Sequence, residues 1–176
     1  MRLAPATEST VRVDITVTFL RMDAPSTAPA RPLPADTQVV RVVRPTVAFY
    51  RYLYNTTGEA HLWWLRRVAP DAELATILSD PRLSIHVLYR GGAPAGFYEL
   101  DRRNAPDINL SYFGLLPHAI GQGLGTAFLR QAVDTAWAEG ARGITVNTCT
   151  ADNPRALPGY RRIGFRPLRE LSEAWN

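Results

Sequence analysis

The chain contains no lysine. All 20 of its basic residues are arginine, set against 16 Asp and Glu, which gives a formal charge of +4. That absence excludes several classes of chemistry. P-loop nucleotide hydrolysis needs the lysine of G-x-x-x-x-G-K-[ST]. Schiff-base and pyridoxal phosphate catalysis need a lysine amine, and protein kinases of the usual kind set a lysine against the ATP phosphates. Cysteine is almost as scarce: Cys149 stands alone, so there is no internal disulfide and no Cys-cluster zinc site. No metal is assigned to any residue. No apolar run approaches the roughly 20 residues of a membrane span, and the polar stretch from Met1 to Thr10 does not resemble a signal peptide. The arginines are scattered, with the densest pairs at Arg66-Arg67, Arg102-Arg103 and Arg161-Arg162. Without a basic stripe and interleaved aromatics, no nucleic-acid partner is expected, and no membrane partner. A mild positive field suits an anionic small ligand. What remains is an ordinary globular composition, 46% hydrophobic and 20% charged over 176 residues. It fits a single domain over residues 11–176 behind a flexible leader over 1–10, placed in the cytoplasm; a homodimer is left open.

Hydrophobic periodicity lays out the elements. Val11 to Met22 alternates as a half-buried strand. Ala24 to Asp36 carries four prolines and reads as a surface loop. Pro45 is placed to open a helix through Phe49, Tyr50, Leu53 and Tyr54, which the run Asn55-Thr56-Thr57-Gly58 stops. A short helical piece follows over His61 to Val68, then a helix over Ala72 to Leu78 capped by Asp71. Leu83–Tyr89, the turn at Gly91-Gly92, and Pro94–Leu100 form a hairpin, with a third strand over Ile108–Leu115. Gly123 to Glu139 is the strongest helix, its apolar stripe running through Leu124, Ala127, Phe128, Val133, Ala136 and Trp137. Ile144–Thr150 is a strand, Asp152-Asn153-Pro154 caps a short helix, and a last strand starts near Phe165. This is an α+β order around one mixed sheet. The strands on either side of the long helix should be parallel, joined by a right-handed crossover.

The segment Leu115 to Thr126 (LLPHAIGQGLGT) carries most of the functional information. A strand ends, Gly121, Gly123 and Gly125 follow, and a long helix begins. Such glycines let backbone N–H groups converge on an anion at the positive end of a helix dipole. The pattern alone leaves two readings open, a phosphate cradle or merely a tight strand-to-helix turn. The dinucleotide fingerprint G-x-G-x-x-G fails, because Thr126 occupies the third glycine position.

The same segment resembles the core motif of the GNAT superfamily of acetyl-coenzyme A-dependent N-acyltransferases, V-x-P-x-x-[QR]-x-x-G-x-[GA]. It matches over Leu115-Leu116-Pro117-His118-Ala119-Ile120-Gly121-Gln122-Gly123-Leu124-Gly125, with Ile120 in place of Gln or Arg. A second motif of that family, N-x-x-A-x-x-x-Y-x-x-x-G-F, stands as Asn153, Ala156, Tyr160, Gly164 and Phe165. Pro158-Gly159 interrupts it, so a distorted helix is expected there.

The resemblance implies a central mixed, mostly antiparallel sheet flanked by helices, with two parallel strands splayed to take coenzyme A. It implies a bulge in the first of those strands, for which Gly114 is the natural site. It also implies acetyl-coenzyme A as co-substrate, held by Leu115, Gly121, Gln122, Gly123, Leu124, Gly125, Thr126, Asn153 and Tyr160. The Leu115 backbone N–H would face the thioester oxygen. Tyr160 would protonate the leaving thiolate, or else be a packed core tyrosine. Glu99, directly or through water, is the candidate base; the alternative is a strand-end carboxylate paired with Arg102 or Arg103. Asp101 shares its face and is a second candidate. The acceptor would be a small-molecule or peptide amine, attacking the acyl carbon directly. Cys149 reads as a structural thiol and His118 as an exposed loop residue. Asn153 serves as an N-cap whether or not it touches coenzyme. Tyr50, Tyr54, Trp63 and Trp64 read as core or as the cover of the acceptor site. A non-catalytic acyl-coenzyme A sensor or interaction module is the other reading of the same cradle.

Overall fold

The computed structural model describes residues 12–175. The leader expected over residues 1–10 lies outside the described residues. Seven strands form one sheet: β1 (Val13–Met22), β2 (Thr37–Val42), β3 (Leu83–Arg90), β4 (Ala93–Asp101), β5 (Asp107–Leu115), β6 (Gly143–Cys149) and β7 (Arg166–Trp175). Their order is β2-β3-β4-β5-β6-β1-β7, antiparallel throughout except for the β5–β6 pair. Five helices flank it: α1 (Val47–Gly58), α2 (Leu65–Val68), α3 (Asp71–Leu78), α4 (Leu124–Ala138) and α5 (Ala156–Ile163).

Each face of the sheet carries its own core. On one face α4 and α5 cover Leu20, Met22, Leu88, Tyr98, Leu100, Ile108, Leu110, Ile144 and Val146. The seven buried residues of α4, from Leu124 to Ala136, recur at helical spacing and make that contact. On the other face Tyr50, Leu53, Tyr54, Leu74 and Leu78 pack on Ile85, Val87 and Phe97. Each fully buried side chain of this size contributes about 1.5–3 kcal/mol of transfer free energy.

β5 serves both cores by changing parity. Glu99 lies opposite Tyr112 but Leu100 lies opposite Leu110, so Ser111 is the extra residue of a bulge. Ile108 and Leu110 before it, and Phe113 and Leu115 after it, all meet the α4 side, while Tyr112 meets the α1 side. The bulge therefore falls at Ser111, not at Gly114. Gly114 is needed for another reason: a Cβ there would overlap Cγ2 of Thr57 on α1.

Other sequence expectations shift by physical rule. Thr46, not Pro45, caps α1, its hydroxyl accepting the Phe49 N–H at 3.2 Å. The helix runs through the Asn55–Gly58 stop. The piece expected over His61–Val68 divides into a 3-10 turn at Glu59–His61 and the single turn of α2. Asp71 is the first residue of α3 rather than its cap and binds the Arg51 guanidinium at 2.7 Å. Pro158 sits in the first turn of α5, where backbone N–H groups have no helical partner, so the helix stays continuous. β2 follows the proline-rich loop without a one-sided alternation: Val39 packs on one core and Val42 on the other.

Gly96 on β4 faces α4 with no room for a side chain. A Cβ would lie 2.7 Å from the backbone carbonyl oxygen of Gly114. Gly96→Ala should therefore destabilise the fold by about 1–3 kcal/mol through overpacking, measured as a lower urea midpoint at unchanged slope.

Candidate active site

β5 and β6 are hydrogen-bonded over three residue pairs only, Asp107–Gly143, Ile108–Ile144 and Asn109–Thr145. Beyond them β5 follows β4 as far as Leu115 and β6 follows β1 as far as Cys149. The facing edges of Leu110–Leu115 and Val146–Cys149 diverge, with no strand between them among the described residues. At the closed end Arg21 on β1 reaches across β6 to Asp107 on β5, with Nη2 to Oδ1 at 3.0 Å. It passes Gly143, where a Cβ would collide with the guanidinium.

At the open end, the Leu116 N–H donates to the Ala95 carbonyl of β4 at 2.9 Å. Strand alternation turns the Leu115 N–H to the opposite edge, towards the gap. The chain then makes a 3-10 turn at Pro117–Ala119 and enters α4 through Gly121 (φ 82°) and Gly123 (φ 76°). Both are left-handed positions that other residues adopt only under strain, and a Cβ at either would have nothing within 4 Å. The loop is thus open on its outer side, with the first N–H groups of a 15-residue helix behind it. Ile120 is exposed. The polar organisation of the loop comes instead from Gln122, which donates to the His118 carbonyl at 2.6 Å and accepts from Arg90 Nη1 at 2.7 Å. Arg90 sits at the end of β3 and has no signal in the loop motif. Leu124 is wholly buried, so only its backbone faces the loop, and Thr126 is exposed.

Tyr160 comes from α5 on the α4 side of the sheet. It is buried against Phe165, edge to face at 5.7 Å. Burial, and then the charge of Asp152, push its pKa far above the ordinary tyrosine value. Asn153 is not the N-cap of α5, a position held by Arg155 without a side-chain bond; it closes the turn before the helix, its side-chain oxygen accepting the Arg155 N–H at 3.0 Å and its carbonyl the Ala156 N–H at 2.8 Å. Cys149 is half-buried at the end of β6, and desolvation followed by the nearby Asp152 raises its thiol pKa.

Glu99 lies on the other face, with no exposed surface. Tyr50 donates to one of its oxygens at 2.6 Å and Arg66 Nη2 to the other at 3.1 Å. Its basic partner is therefore Arg66 of α2 rather than Arg102 or Arg103; Asp101 is the carboxylate that takes Arg103, at 2.6 Å. Burial raises the Glu99 pKa, and the charge of Arg66 and the bond from Tyr50 oppose it. Around this group stand rings: Arg66 lies over Tyr112 at 5.8 Å, Tyr54 meets Tyr112 edge to face at 4.9 Å, and Trp63 lies 5.2 Å from Tyr112 and 5.3 Å from Tyr54. Trp64 points away, 48% exposed, and does not join them.

Leu115 and the glycine loop thus stand at the open end of one gap, Asn153 and Tyr160 follow in the turn and helix beyond the end of β6, and Glu99 stands one strand away on β4. Sequence reading missed Arg66, Tyr112, Arg90 and Asp152. Asp152 looked like part of a capping signature. Its carboxylate instead accepts from Trp63 Nε1 at 3.1 Å, Thr148 Oγ1 at 2.8 Å and the Cys149 N–H at 3.0 Å.

Comparison with known proteins agrees with this geometry. The acetyltransferase (GNAT) family matches residues 47–165. A GCN5-related N-acetyltransferase from Kribbella flavida superposes with a TM-score of 0.62 at 16% identity, covering 93% of this chain and 58% of that one. A GCN5-related N-acetyltransferase from Sphaerobacter thermophilus gives 0.65 at 18% identity, covering 93% and 50%. An aminoglycoside acetyltransferase from an uncultured soil metagenomic sample, in complex with sisomicin, gives 0.58 at 11% identity, covering 72% and 86%. The chain thus spans little more than half the length of the first two. No curated protein matches it in sequence. Among the described residues no helix is long and apolar enough to cross a membrane.

Removing the charge of Arg66 would leave Glu99 buried without its cation. Arg66→Met should cost about 3–5 kcal/mol at pH 8. The Glu99 carboxyl then has a folded-state pKa raised further above its unfolded value, so the folded state binds the extra proton and stability falls as pH rises through that interval. The loss should therefore be smaller at pH 5 than at pH 8, and adding Glu99→Gln should recover part of it; urea melts at both pH values measure this.

Proposed function

Since the chain belongs to the GNAT acetyltransferase family, we propose that it transfers an acetyl group from acetyl-coenzyme A to a primary amine by direct attack. The observation that carries the reading is the β5–β6 gap, which opens onto the glycine loop with two free backbone edges. An extended pantetheine arm has the amide groups to pair with such edges, and the loop N–H groups of Gly121 to Thr126 suit its pyrophosphate. The absence of side chains at Gly121 and Gly123 leaves the phosphates room to reach the backbone.

Acetyl-coenzyme A supplies the electrophilic thioester carbon and a thiolate leaving group. In this reading the Leu115 N–H donates to the carbonyl oxygen as negative charge develops on it. Glu99 receives a proton from the incoming ammonium through intervening water. Its burial favours the neutral acid and so brings it nearer to working pH, the direction a base requires. Tyr160, kept protonated by burial and by Asp152, gives its proton to the departing sulfur. Asn153 bonds the coenzyme as its turn continues into α5. Cys149, a thiol rather than a thiolate, takes no part. The acceptor is a small molecule or a peptide amine, and the reaction belongs to the cytoplasm, where acetyl-coenzyme A is available.

The test has two stages. Gly125 has helical backbone, and a Cβ there would meet nothing closer than Leu115 Cδ1 at 3.8 Å, so the backbone accepts a side chain at this position, and an unchanged urea midpoint checks that Gly125→Leu stays folded. It should weaken acetyl-coenzyme A by roughly tenfold or more in calorimetry, about 1.4 kcal/mol. Unchanged affinity removes the loop from the site. Tyr160→Phe should then lower turnover with the best amine of a screened panel by on the order of 100-fold, with coenzyme affinity kept. Coenzyme binding without acetylation of any amine would favour the sensor reading instead.

A further inference from the structure

Several constraints converge on Trp63. Leu62, the residue before it, has φ 53°, and is the one non-glycine residue with positive φ among the described residues. Gly58, at the end of α1, lies against the indole: a Cβ there would sit 2.6 Å from Trp63 Cγ. Gly114 on β5 lies at the far side of the ring, where even a Cβ would stand 3.8 Å from Trp63 Cη2. Tyr54, Tyr112 and Phe97 box the ring at 5.3, 5.2 and 6.3 Å. Its N–H then crosses to Asp152, in the turn between β6 and α5. Asp152 is in turn fixed to β6 through Thr148 and the Cys149 N–H. The indole therefore packs on the β5 side and is tied to the β6 side, lying over the open end of the gap.

We propose that Trp63 is a specificity-determining residue for the acyl acceptor and that Asp152 is its positioning residue. Pinned across the gap, the indole is a wall that cannot yield to extra bulk beside the reacting nitrogen, so it should favour amines borne on an unbranched methylene over those branched at the carbon bearing nitrogen. This rests on the acetyltransferase reading above. Asp152 is suited to its part because its carboxylate only accepts, and it takes three donors. Two of those donors share Oδ2 and only the indole uses Oδ1, so an amide keeps its oxygen at the two-donor position and turns its NH2 against the indole N–H; Asp152→Asn breaks the pin while nearly preserving shape.

The first measurement needs no turnover. The indole N–H resonance of Trp63, identified by its loss in Trp63→Phe, should exchange with water at least about tenfold faster in Asp152→Asn than in wild type. Unchanged exchange overturns the pin. The second measurement is a competition between n-butylamine and sec-butylamine. Wild type should favour the unbranched amine, and Trp63→Ala and Asp152→Asn should each shrink that preference by about tenfold, with the dissociation constant for acetyl-coenzyme A within about twofold of wild type. Trp63→Phe keeps a ring in the box and stands in if Trp63→Ala does not fold; its shift should be in the same direction and smaller. Turnover with an unaltered amine preference in these variants overturns the specificity assignment alone. Absence of turnover by wild type with any amine overturns the acetyltransferase reading and the assignment with it, and the exchange measurement still judges the pin.

Discussion

Two parallel strands that part after three residue pairs leave facing rows of N–H and C=O groups, and a buried peptide group without a partner costs about 1–3 kcal/mol. The rest of the molecule is arranged so that this parting is held open rather than healed. β4 grips the outer edge of β5 up to Leu115, and β1 grips the outer edge of β6 up to Cys149. Arg21 fixes the closed end through Asp107, which lies beside the side-chain-free Gly143. The bulge at Ser111 turns β5 so that Leu110 and Phe113 both reach the α4 core while Tyr112 reaches the α1 core. A gap held in this way leaves two free backbone edges, which an extended chain with its own amide groups would fit.

The two faces of the gap have different characters. The α4 side supplies the glycine loop and Tyr160, with backbone donors and a protonated phenol. The α1 side supplies a neutralised charge pair, Glu99 with Arg66, inside a set of aromatic rings. Asp152 acts on both. It accepts from Trp63 on one side, and on the other its charge adds to burial in raising the pKa of Tyr160 and Cys149. That carboxylate thus helps keep both the tyrosine hydroxyl and the cysteine thiol protonated.

Much of this was legible in the sequence, where a local rule fixes the outcome. The α4 stripe, the hairpin at Gly91-Gly92, the glycine loop and the Asn153-to-Phe165 spacing each depend on residues close in the chain. What sequence reading missed depends on tertiary neighbours. The bulge was assigned to Gly114 because glycine is the usual mark of one, yet Gly114 is there for Thr57, 57 residues earlier. For Glu99, the sequence offers a base or a carboxylate paired with the nearby Arg102 or Arg103, whereas the fold brings in Arg66 from α2 as its cation. β2 escaped notice because its valines are divided between two cores and give no one-sided alternation. Asp152 carries a capping signature, and nothing in the sequence announces that Trp63, 89 residues away, donates to it.

The central claim is that the unpaired edge of β5 receives the coenzyme. Amide hydrogen exchange along the chain, with and without saturating coenzyme A, tests it most directly. The account predicts slower exchange at Leu115 and across Gly121 to Thr126 when the coenzyme is bound, with the Leu116 amide, already bonded to β4, little changed. Protection that appears elsewhere while Leu115 and the glycine loop exchange as before would contradict it.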